Sequence, residues 1–206
     1  MLSVASAVEE SVKIFHNVHN EYVPAKIVPI SAKHIQDIEL LWLPQLRNHN
    51  CWDRDLDIHK YLNNPDIYEV YVLEYDAIAQ GIIILQTNKC HSRLDVDKNL
   101  IYVHLLTVAP WNRAAILGRR NYKGVGTVLL TFAMLHSFNL GFQGRIALNT
   151  VQEAENFYQK LPFFDGGYDL FPSGNDGRYI GLKYLEMPEE EAELVMLNLY
   201  LTSYLN

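Results

Sequence analysis

Apolar residues recur along the chain with two different periods, which predicts strands and helices in mixed order. The predicted elements are a helical extension at Val4–Asn17 within residues 1–20, a strand at Tyr22–Ile30, a helix carrying Ile35, Ile38, Leu41 and Trp42, a helix at Asp53–Leu62, strands at Ile67–Tyr75, Ala77–Thr87 and Asn99–Val108, a helix at Thr127–Leu140, a strand at Gly144–Thr150, a helix at Glu153–Leu161, a strand at Arg178–Met187 and a C-terminal helix over residues 188–206. Ser31 is placed to cap the second helix, and Pro44 should end or kink it. No repeat and no Gly/Ser/Pro-rich linker divides the chain, which favours a single domain over residues 1–206 of mixed α/β (α+β) class.

The helix predicted at Thr127–Leu140 is apolar on almost every side, and Gly141 follows it, as is typical of a buried helix with a glycine just past its end. The preceding segment NYKGVG places Gly124 and Gly126 at the helix start. Because glycine has no Cβ, backbone N–H groups there can approach an oxyanion closely, and the helix dipole adds attraction. We interpret this segment as a pyrophosphate cradle. The alternative is that the glycines only permit a tight strand-to-helix turn.

The charge of the chain is acidic in total but uneven in distribution. A net charge of -7 argues against general nucleic-acid binding, which usually needs a basic surface. Residues 98–152 contain no Asp or Glu, while Arg113, Arg119, Arg120, Lys123 and Arg145 all lie there. Such a block predicts a local positive field and therefore a small anionic ligand. Chance composition in an apolar core segment is the alternative.

Other patterns limit the class of protein further. The N-terminus has no basic region before an apolar run, and no stretch approaches the ~20 apolar residues of a membrane span, so we expect a cytoplasmic protein without a membrane partner. Cys51 and Cys90 form no CxxC pattern and the histidines show no ligand spacing, so we expect no metal. A GxGxxG dinucleotide motif would need glycine in place of Leu129, and no Walker motif occurs.

Two motifs in register resemble the GNAT superfamily of acyl-CoA-dependent acyltransferases. The family signature (Gln/Arg)xxGx(Gly/Ala) is similar to NYKGVG, with Asn121 at the Gln/Arg position. Further matching residues are Leu106, Val108 and Pro110 of the LxVxP pattern before the loop, and Ala154, Tyr158, Lys160 and Phe163 of the NxxAxxxYxKxGF pattern after it. Val151 and Pro162 depart from the second pattern, and the loop from Trp111 to Arg120 is longer than is typical.

The resemblance covers about Leu100–Phe164 by motif. It implies a mostly antiparallel central sheet with helices on both faces and a splay between strands 4 and 5. It also implies acetyl-CoA or another acyl-CoA as co-substrate, and transfer of the acyl group to a primary amine of a small molecule, amino-acid derivative or peptide. The residues it assigns to CoA binding are Leu106, Thr107, Val108, Arg113, Arg119, Arg120, Asn121, Tyr122, Lys123, Gly124, Val125, Gly126, Thr127 and Asn149. No nucleic acid partner is expected, and a homodimer is left open.

Two residues are catalytic candidates by resemblance. Tyr158 lies where many family members place the tyrosine that protonates the CoA sulfur. His104 occupies the position of a glutamate base on strand four, and histidine titrates near neutral pH. The alternatives are that Tyr158 is a half-buried packing aromatic, His104 a satisfied core histidine and Asn149 a packing residue. The missing glutamate leaves a second class open, a catalytically weak or inactive acyl-CoA-binding sensor or partner module.

Overall fold

A computed structural model describes residues 9–173 and 178–204, with side chains as far as residue 198. The chain divides into two compact units. The first comprises the chain up to Ile84 together with Leu105–Leu130, and the second comprises Leu85–His104 and Thr131–Asn206. The single domain over residues 1–206 stays a prediction.

The first unit contains antiparallel strands and short helices. The elements wholly or partly in it are β1 (Glu10–His16), β2 (Glu21–Pro29), α1 (Ala32–Asp37), a π-helical turn (Ile38–Trp42), α2 (Leu43–Asn48), α3 (His59–Leu62), β3 (Tyr68–Tyr75), β4 (Ile78–Gln86), β5 (Ile101–Val108), a 3-10 turn (Pro110–Asn112), α4 (Ala114–Leu117), β6 (Tyr122–Lys123) and α5 (Val125–Asn139). Strand β6 pairs with β1, β1 with β2 and β2 with β3. The core contains Trp42, Leu46, Val72 and Ile82, each fully buried, because alternate strand residues face the apolar side of α1 to α3.

The second unit contains the remaining strands and the C-terminal helix. The elements wholly in it are β7 (Ile146–Thr150), a 3-10 turn (Gln152–Ala154), α6 (Glu155–Tyr158), β8 (Phe164–Ser173), β9 (Arg178–Met187) and α7 (Glu189–Tyr204). Strand β7 pairs antiparallel with β9, and β9 with β8. Strands β5 and β7 are parallel, with Ile101 opposite Ile146 and Val103 opposite Leu148. The sheet is thus mixed and mostly antiparallel, which confirms the predicted fold class, whereas the splay expected beyond these pairs stays a prediction.

The prediction of an N-terminal helix is wrong for the residues that are described. Glu10–His16 is strand β1, which pairs with β2 from Glu10 opposite Ile27 to His16 opposite Glu21. Residues 4–8 of the predicted helix lie outside the described residues. Val12 and Ile14 lie on one face of this strand, and Ile14 is 1% exposed, so the strand has one buried face.

The helix after Ser31 continues past Pro44 instead of ending there. Its start is as predicted: the Ser31 backbone N–H donates to Nδ1 of His34 at 3.1 Å, which completes a capping box. Pro44 lies in the first turn of α2, directly after the π-helical turn Ile38–Trp42. Because proline cannot donate to the carbonyl four residues earlier and clashes with it, the wider turn accommodates the proline without breaking the helix.

Other predicted boundaries are corrected as well. The helix expected at Asp53–Leu62 is formed only by His59–Leu62, and Asp53 is a buried residue of the preceding turns. The helix expected at Glu153–Leu161 is reduced to a 3-10 turn and the four residues of α6. Strand β8 was not predicted, whereas β9 and the C-terminal helix have the predicted positions.

Candidate functional site

The start of α5 has the backbone geometry of an anion cradle. Gly124 has φ +85°, and its carbonyl accepts the Val128 N–H at 2.8 Å, so it directly precedes the first turn of this 15-residue helix. A Cβ built on Gly124 would meet nothing within 4 Å, so the space beside this backbone is open. Left-handed φ favours glycine, and open N–H groups at a helix start bind anions. A phosphate group therefore fits this position.

A second glycine, on β4, lets α5 approach the sheet closely. A Cβ on Gly81 would lie 2.6 Å from Cγ1 of Val125 and 2.8 Å from Cδ1 of Leu129. Val125 and Leu129 are 3% and 0% exposed, so they have little room to move. The absence of a side chain at Gly81 thus sets the distance between the first turns of α5 and the strand.

Hydrogen bonds close the base of the long loop between β5 and α5. Asn112, 4% exposed, donates from Nδ2 to Oε1 of Gln80 at 3.1 Å and accepts the Tyr122 N–H at Oδ1 at 3.0 Å. The carbonyl of Trp111 accepts the Asn121 N–H at 2.9 Å. The two ends of the loop therefore meet, and residues 113–120 form an outward excursion, which settles the path of the atypically long segment.

Strand β1 holds the segment just before Gly124. His16 is paired with Tyr122 and Phe15 with Lys123, and the Asn17 N–H donates to the Asn121 carbonyl at 2.8 Å. The Tyr122 ring contacts the ring of His16 edge-on at 4.9 Å, and burial raises the pKa of the Tyr122 phenol. The N-terminal segment thus supports the predicted cradle residues Asn121, Tyr122 and Lys123.

The arginines of the excursion have two different environments. Arg119 and Arg120 follow α4 and are exposed, and they form no ion pair with a described residue. Arg113 does not share that environment, because its guanidinium donates to both carboxylate oxygens of Asp53, at 2.9 and 2.5 Å. Arg113 is thus bound to a carboxylate inside the protein, and its predicted role in CoA binding stays a prediction.

The field predicted from the acid-free block is correspondingly smaller. Asp53 neutralises Arg113, and Glu189 accepts a hydrogen bond from Arg145, so acids from outside residues 98–152 reach two of its cations. Lys123 remains exposed, with Nζ 5.6 Å from the centre of the Phe15 ring. Of the cations that precede Gly124 closely in the sequence, Arg119, Arg120 and Lys123 are exposed and form no ion pair with a described residue.

Strand β5 presents two faces that differ in burial. Thr107 is buried, whereas Leu106 and Val108 are partly buried and His104, on the same face as these two, is exposed. The His104 ring lies edge-on to Tyr102 at 6.2 Å. Its exposure argues against a core histidine. At the start of α5, Val125 is buried, Gly126 partly buried and Thr127 exposed.

In the second unit, Tyr158 is enclosed at the end of α6. It is 6% exposed, and its ring contacts Phe157 and Phe163 edge-on at 4.9 and 5.8 Å. Burial raises the pKa of its phenol, which therefore keeps its proton at neutral pH. No hydrogen bond among the described residues involves this hydroxyl. The arrangement suits both a proton donor and a packing aromatic.

The side chain of Asn149 belongs to a polar chain across the strands of the second unit. Its Oδ1 accepts from the Tyr102 hydroxyl at 2.6 Å, and its Nδ2 donates to Asp169 at 3.0 Å. Asp169 also accepts two hydrogen bonds from Arg93, at 3.1 and 2.7 Å, which lower the pKa of its carboxyl group. Burial raises the pKa of Tyr102 to about 12. The Asn149 amide is thus occupied by protein groups.

Several residues that shape the site were not identified from the sequence. They are Asp53, Gln80, Gly81, Asn112, Arg93 and Asp169. Each acts through a partner that is distant in sequence, so no local pattern marks it. The one available signal was the polar Asn112, two residues after the Leu106–Pro110 motif. Among the residues described, no group of three or more His, Cys, Asp or Glu side chains is placed to hold a metal ion, and no helix is long and apolar enough to cross a membrane.

The strand pairing and Gly124 before α5 define a mixed α/β protein in which α5 starts at a glycine with a left-handed φ and open surroundings. No protein-family model matches the sequence, and no curated protein is similar to it. Solved structures are similar, with low sequence identity. An N-acetyltransferase from Staphylococcus aureus Mu50 is 12% identical with a TM-score of 0.55, over 80% of this chain and 98% of that chain.

Two further structures extend the comparison. A GNAT superfamily phosphinothricin acetyltransferase from Sinorhizobium meliloti, in complex with acetyl-CoA, is 15% identical with a TM-score of 0.53, over 80% of this chain and 88% of its own. FeeM, an N-acyl amino acid synthase from uncultured soil microbes, is 11% identical with a TM-score of 0.54, over 90% of this chain and 94% of that chain. The protein therefore has the fold of the GNAT acyltransferases, which confirms the resemblance drawn from its motifs.

Proposed function

We propose that the protein is an acyl-CoA-dependent N-acyltransferase that transfers an acyl group to the primary amine of a small molecule, an amino-acid derivative or a peptide. The observation that carries this proposal is the start of α5. Gly124 combines a left-handed φ, open space and a helix start within a GNAT fold. This combination is suited to a pyrophosphate, because the first N–H groups of the helix are unpaired within it.

Residues of the first unit would hold the CoA. The N–H groups from Gly124 to Thr127 would bind the pyrophosphate, and the exposed Arg119 and Arg120 would neutralise its charge. The backbone of β5 from Leu106 to Val108 would contact the pantetheine arm. When bound, the acyl-CoA supplies an activated thioester and a thiol leaving group.

Two residues would move protons in the reaction. His104, which is exposed, would accept a proton from the ammonium form of the acceptor, directly or through water. Tyr158 would donate its phenolic proton to the departing sulfur. Burial raises the pKa of this phenol, so the proton is present at neutral pH but is donated less readily than from an exposed tyrosine.

The length of the acyl group is part of the proposal. Acetyl-CoA is the first candidate donor, since acetyltransferases share the fold. The N-acyl amino acid synthase FeeM also shares it and covers 90% of this chain. A donor panel from acetyl-CoA to long-chain acyl-CoA, screened against mixed amines by mass spectrometry, would identify both substrates.

A pair of glycine substitutions tests the cradle. Gly124→Ala places a methyl group beside the helix start, and Gly167→Ala is the matched control, because Gly167 has φ +83° and equally open surroundings on β8. Both changes carry the same backbone strain of about 1–2 kcal/mol. At a hundredfold excess over Kd, CoA should stabilise the parent and Gly167→Ala by about 2.7 kcal/mol in a thermal-shift assay, but Gly124→Ala much less. An equal response of the two variants would contradict the cradle.

The exposed arginines allow a second test. Changing Arg119 and Arg120 together to glutamine should weaken CoA binding more than it lowers stability, because exposed charges contribute little to folding. Titration calorimetry at two salt concentrations measures the CoA affinity of the parent and the double variant. The difference between the two affinities should be smaller at high salt, because salt screens the arginines of the parent. Unchanged affinity would exclude phosphate neutralisation by these residues.

A binding module without catalysis is the second candidate. The observation that favours it is that β5 carries no carboxylate and that the Asn149 amide is occupied by Tyr102 and Asp169. Such a protein would bind CoA as the first proposal requires but would turn over no amine of the panel. Acyl transfer by the parent at a rate reduced by Tyr158→Phe would exclude it.

A further inference from the structure

A buried ionic hub joins three segments of the first unit. Asp53, whose side chain is 1% exposed, accepts from the Thr107 hydroxyl at 2.5 Å and from two nitrogens of Arg113 at 2.9 and 2.5 Å. Arg113 donates further to Oγ1 of Thr107 at 2.6 Å and, from Nε, to the Val108 carbonyl at 2.9 Å. The three guanidinium nitrogens of Arg113 therefore all donate hydrogen bonds to neighbouring protein groups.

Each member of the hub belongs to a different segment. Asp53 lies in the turns between α2 and α3, Thr107 lies on β5 next to the residues proposed to contact pantetheine, and Arg113 is the first residue of the excursion. The Arg113 carbonyl accepts the N–H groups of Ile116 and Leu117, so Arg113 also starts α4. Arg113 therefore fixes the first residue of the excursion, and Ile116, which packs against the core of the first unit, fixes its fourth.

The hub is not needed to close the loop. Asn112 already links Gln80 to Tyr122, and Trp111 is bonded to Asn121, so the loop ends meet before Arg113 is reached. Burying a carboxylate and a guanidinium is costly unless both are well paired, and apolar residues would often serve stability as well. A paired charge at this position instead fixes one geometry of the segment that follows.

We propose that Asp53 is a positioning residue of the acyl-CoA site. It holds the fork of Arg113, and Arg113 directs the excursion so that Arg119 and Arg120 are delivered to the phosphates at the start of α5. The proposal rests on the proposed function and deepens it, because it assigns the specificity of the site for a doubly charged pyrophosphate to a residue that contacts no ligand.

A double-mutant cycle on CoA affinity tests the proposal. Asp53→Asn keeps the shape of the side chain but removes its charge, and the second change is Arg119→Gln with Arg120→Gln. By calorimetry, Asp53→Asn should weaken CoA binding about 3- to 10-fold, and the effect of the arginine changes should be largely lost in the Asp53→Asn background, because contacting or coupled residues are not additive. Additive losses would overturn the proposal, since they would mean that the arginines act independently of the hub.

Limited trypsin digestion without CoA gives a readout that does not depend on binding. Cleavage after Arg119 or Arg120 should become at least about 3-fold faster in Asp53→Asn, because a loosened excursion opens locally more often. Glu74→Gln is the control, since Glu74 also pairs with basic partners of the first unit, His34 at 2.8 Å and Lys26 at 3.5 Å. Equal cleavage rates in the parent and both variants would overturn the proposal.

Further variants keep the test decisive. If Asp53→Asn does not fold, Arg113→Lys is the alternative variant, because lysine keeps the positive charge but cannot form the two-pronged hydrogen bond to Asp53. It should show the same weaker CoA binding and the same faster trypsin cleavage. Thr107→Val, which removes the hydroxyl that Asp53 and Arg113 share, should behave as Asp53→Asn. Should the parent itself bind no CoA, the proposed function fails, while faster cleavage of Asp53→Asn alone would still establish that the hub orders the excursion.

Discussion

Gly81→Ala is a perturbation whose consequence follows from two distances. The added Cβ would lie 2.6 Å from Val125 and 2.8 Å from Leu129, whereas carbon atoms normally rest about 3.5–4.0 Å apart. Both neighbours are buried, so the overlap of about 1 Å has to be relieved by moving the start of α5 away from β4. That start carries Gly124 and the N–H groups proposed to bind phosphate.

The expected cost has two parts. Overpacking of this kind destabilises a core by about 1–3 kcal/mol, which in a chain of this size corresponds to a fall in Tm of about 2–12 °C. The displaced helix start should in addition weaken CoA binding in the protein that remains folded. The loss of affinity should exceed what the loss of stability explains, because binding is measured well below the new Tm.

Gly181→Ala is the matched control on β9. A Cβ there would meet Tyr168 at 3.6 and 3.9 Å, which is ordinary contact, and neither Gly81 nor Gly181 has a positive φ. Thermal unfolding and CoA titration of both variants separate packing from the general effect of replacing a strand glycine. Our reasoning would be refuted by a Gly81→Ala protein with the parental Tm and the parental affinity for CoA.

The remaining predictions concern proton transfer and one ion pair. Tyr158→Phe should lower turnover about 10²- to 10⁴-fold with little change in acyl-CoA affinity, and a parental rate on a confirmed substrate would return Tyr158 to a packing role. Since burial raises the pKa of Tyr158, the pH–rate profile should show no fall caused by its ionisation below the ordinary tyrosine value of about 10. His104→Gln should lower turnover and flatten the acidic limb of that profile, because glutamine does not titrate, and an unaltered limb would exclude His104 as the base. Since Arg93 lowers the pKa of Asp169 in the folded protein, the pair stabilises the fold at neutral pH and this contribution is lost as the pH falls through the lowered value, so the Tm difference between Asp169→Asn and the parent should narrow at acidic pH.

The predictable parts of the fold are those in which local period and burial agree. Strand β9 and helix α5 were anticipated from their apolar patterns, and Ser31 was recognised as a cap because capping is a local interaction. Gly124 was identified for the same reason, since the need for glycine at a helix start is visible in a few adjacent residues.

The errors arise where partners are distant in sequence. The segment Glu10–His16 could be recognised as a strand only with β2 and β6 beside it, because a short amphipathic stretch fits more than one period. The acid-free block suggested that all its cations are available to a ligand, but Asp53 and Glu189 approach Arg113 and Arg145 from outside it. The sequence therefore overestimated the positive charge that is available to a ligand.

The closed base of the loop between β5 and α5 bears on how this region tolerates changes in length. Because Asn112 and Tyr122 are already bonded, residues could be added or removed between them at a small entropic cost, with the helix start left in place. Arg113 is the exception, since its removal would leave the carboxylate of Asp53 buried without a counter-ion. Insertions and engineered grafts between Ala114 and Gly118 should thus leave the fold intact and alter only the placement of Arg119 and Arg120, whereas loss of Arg113 should destabilise the protein.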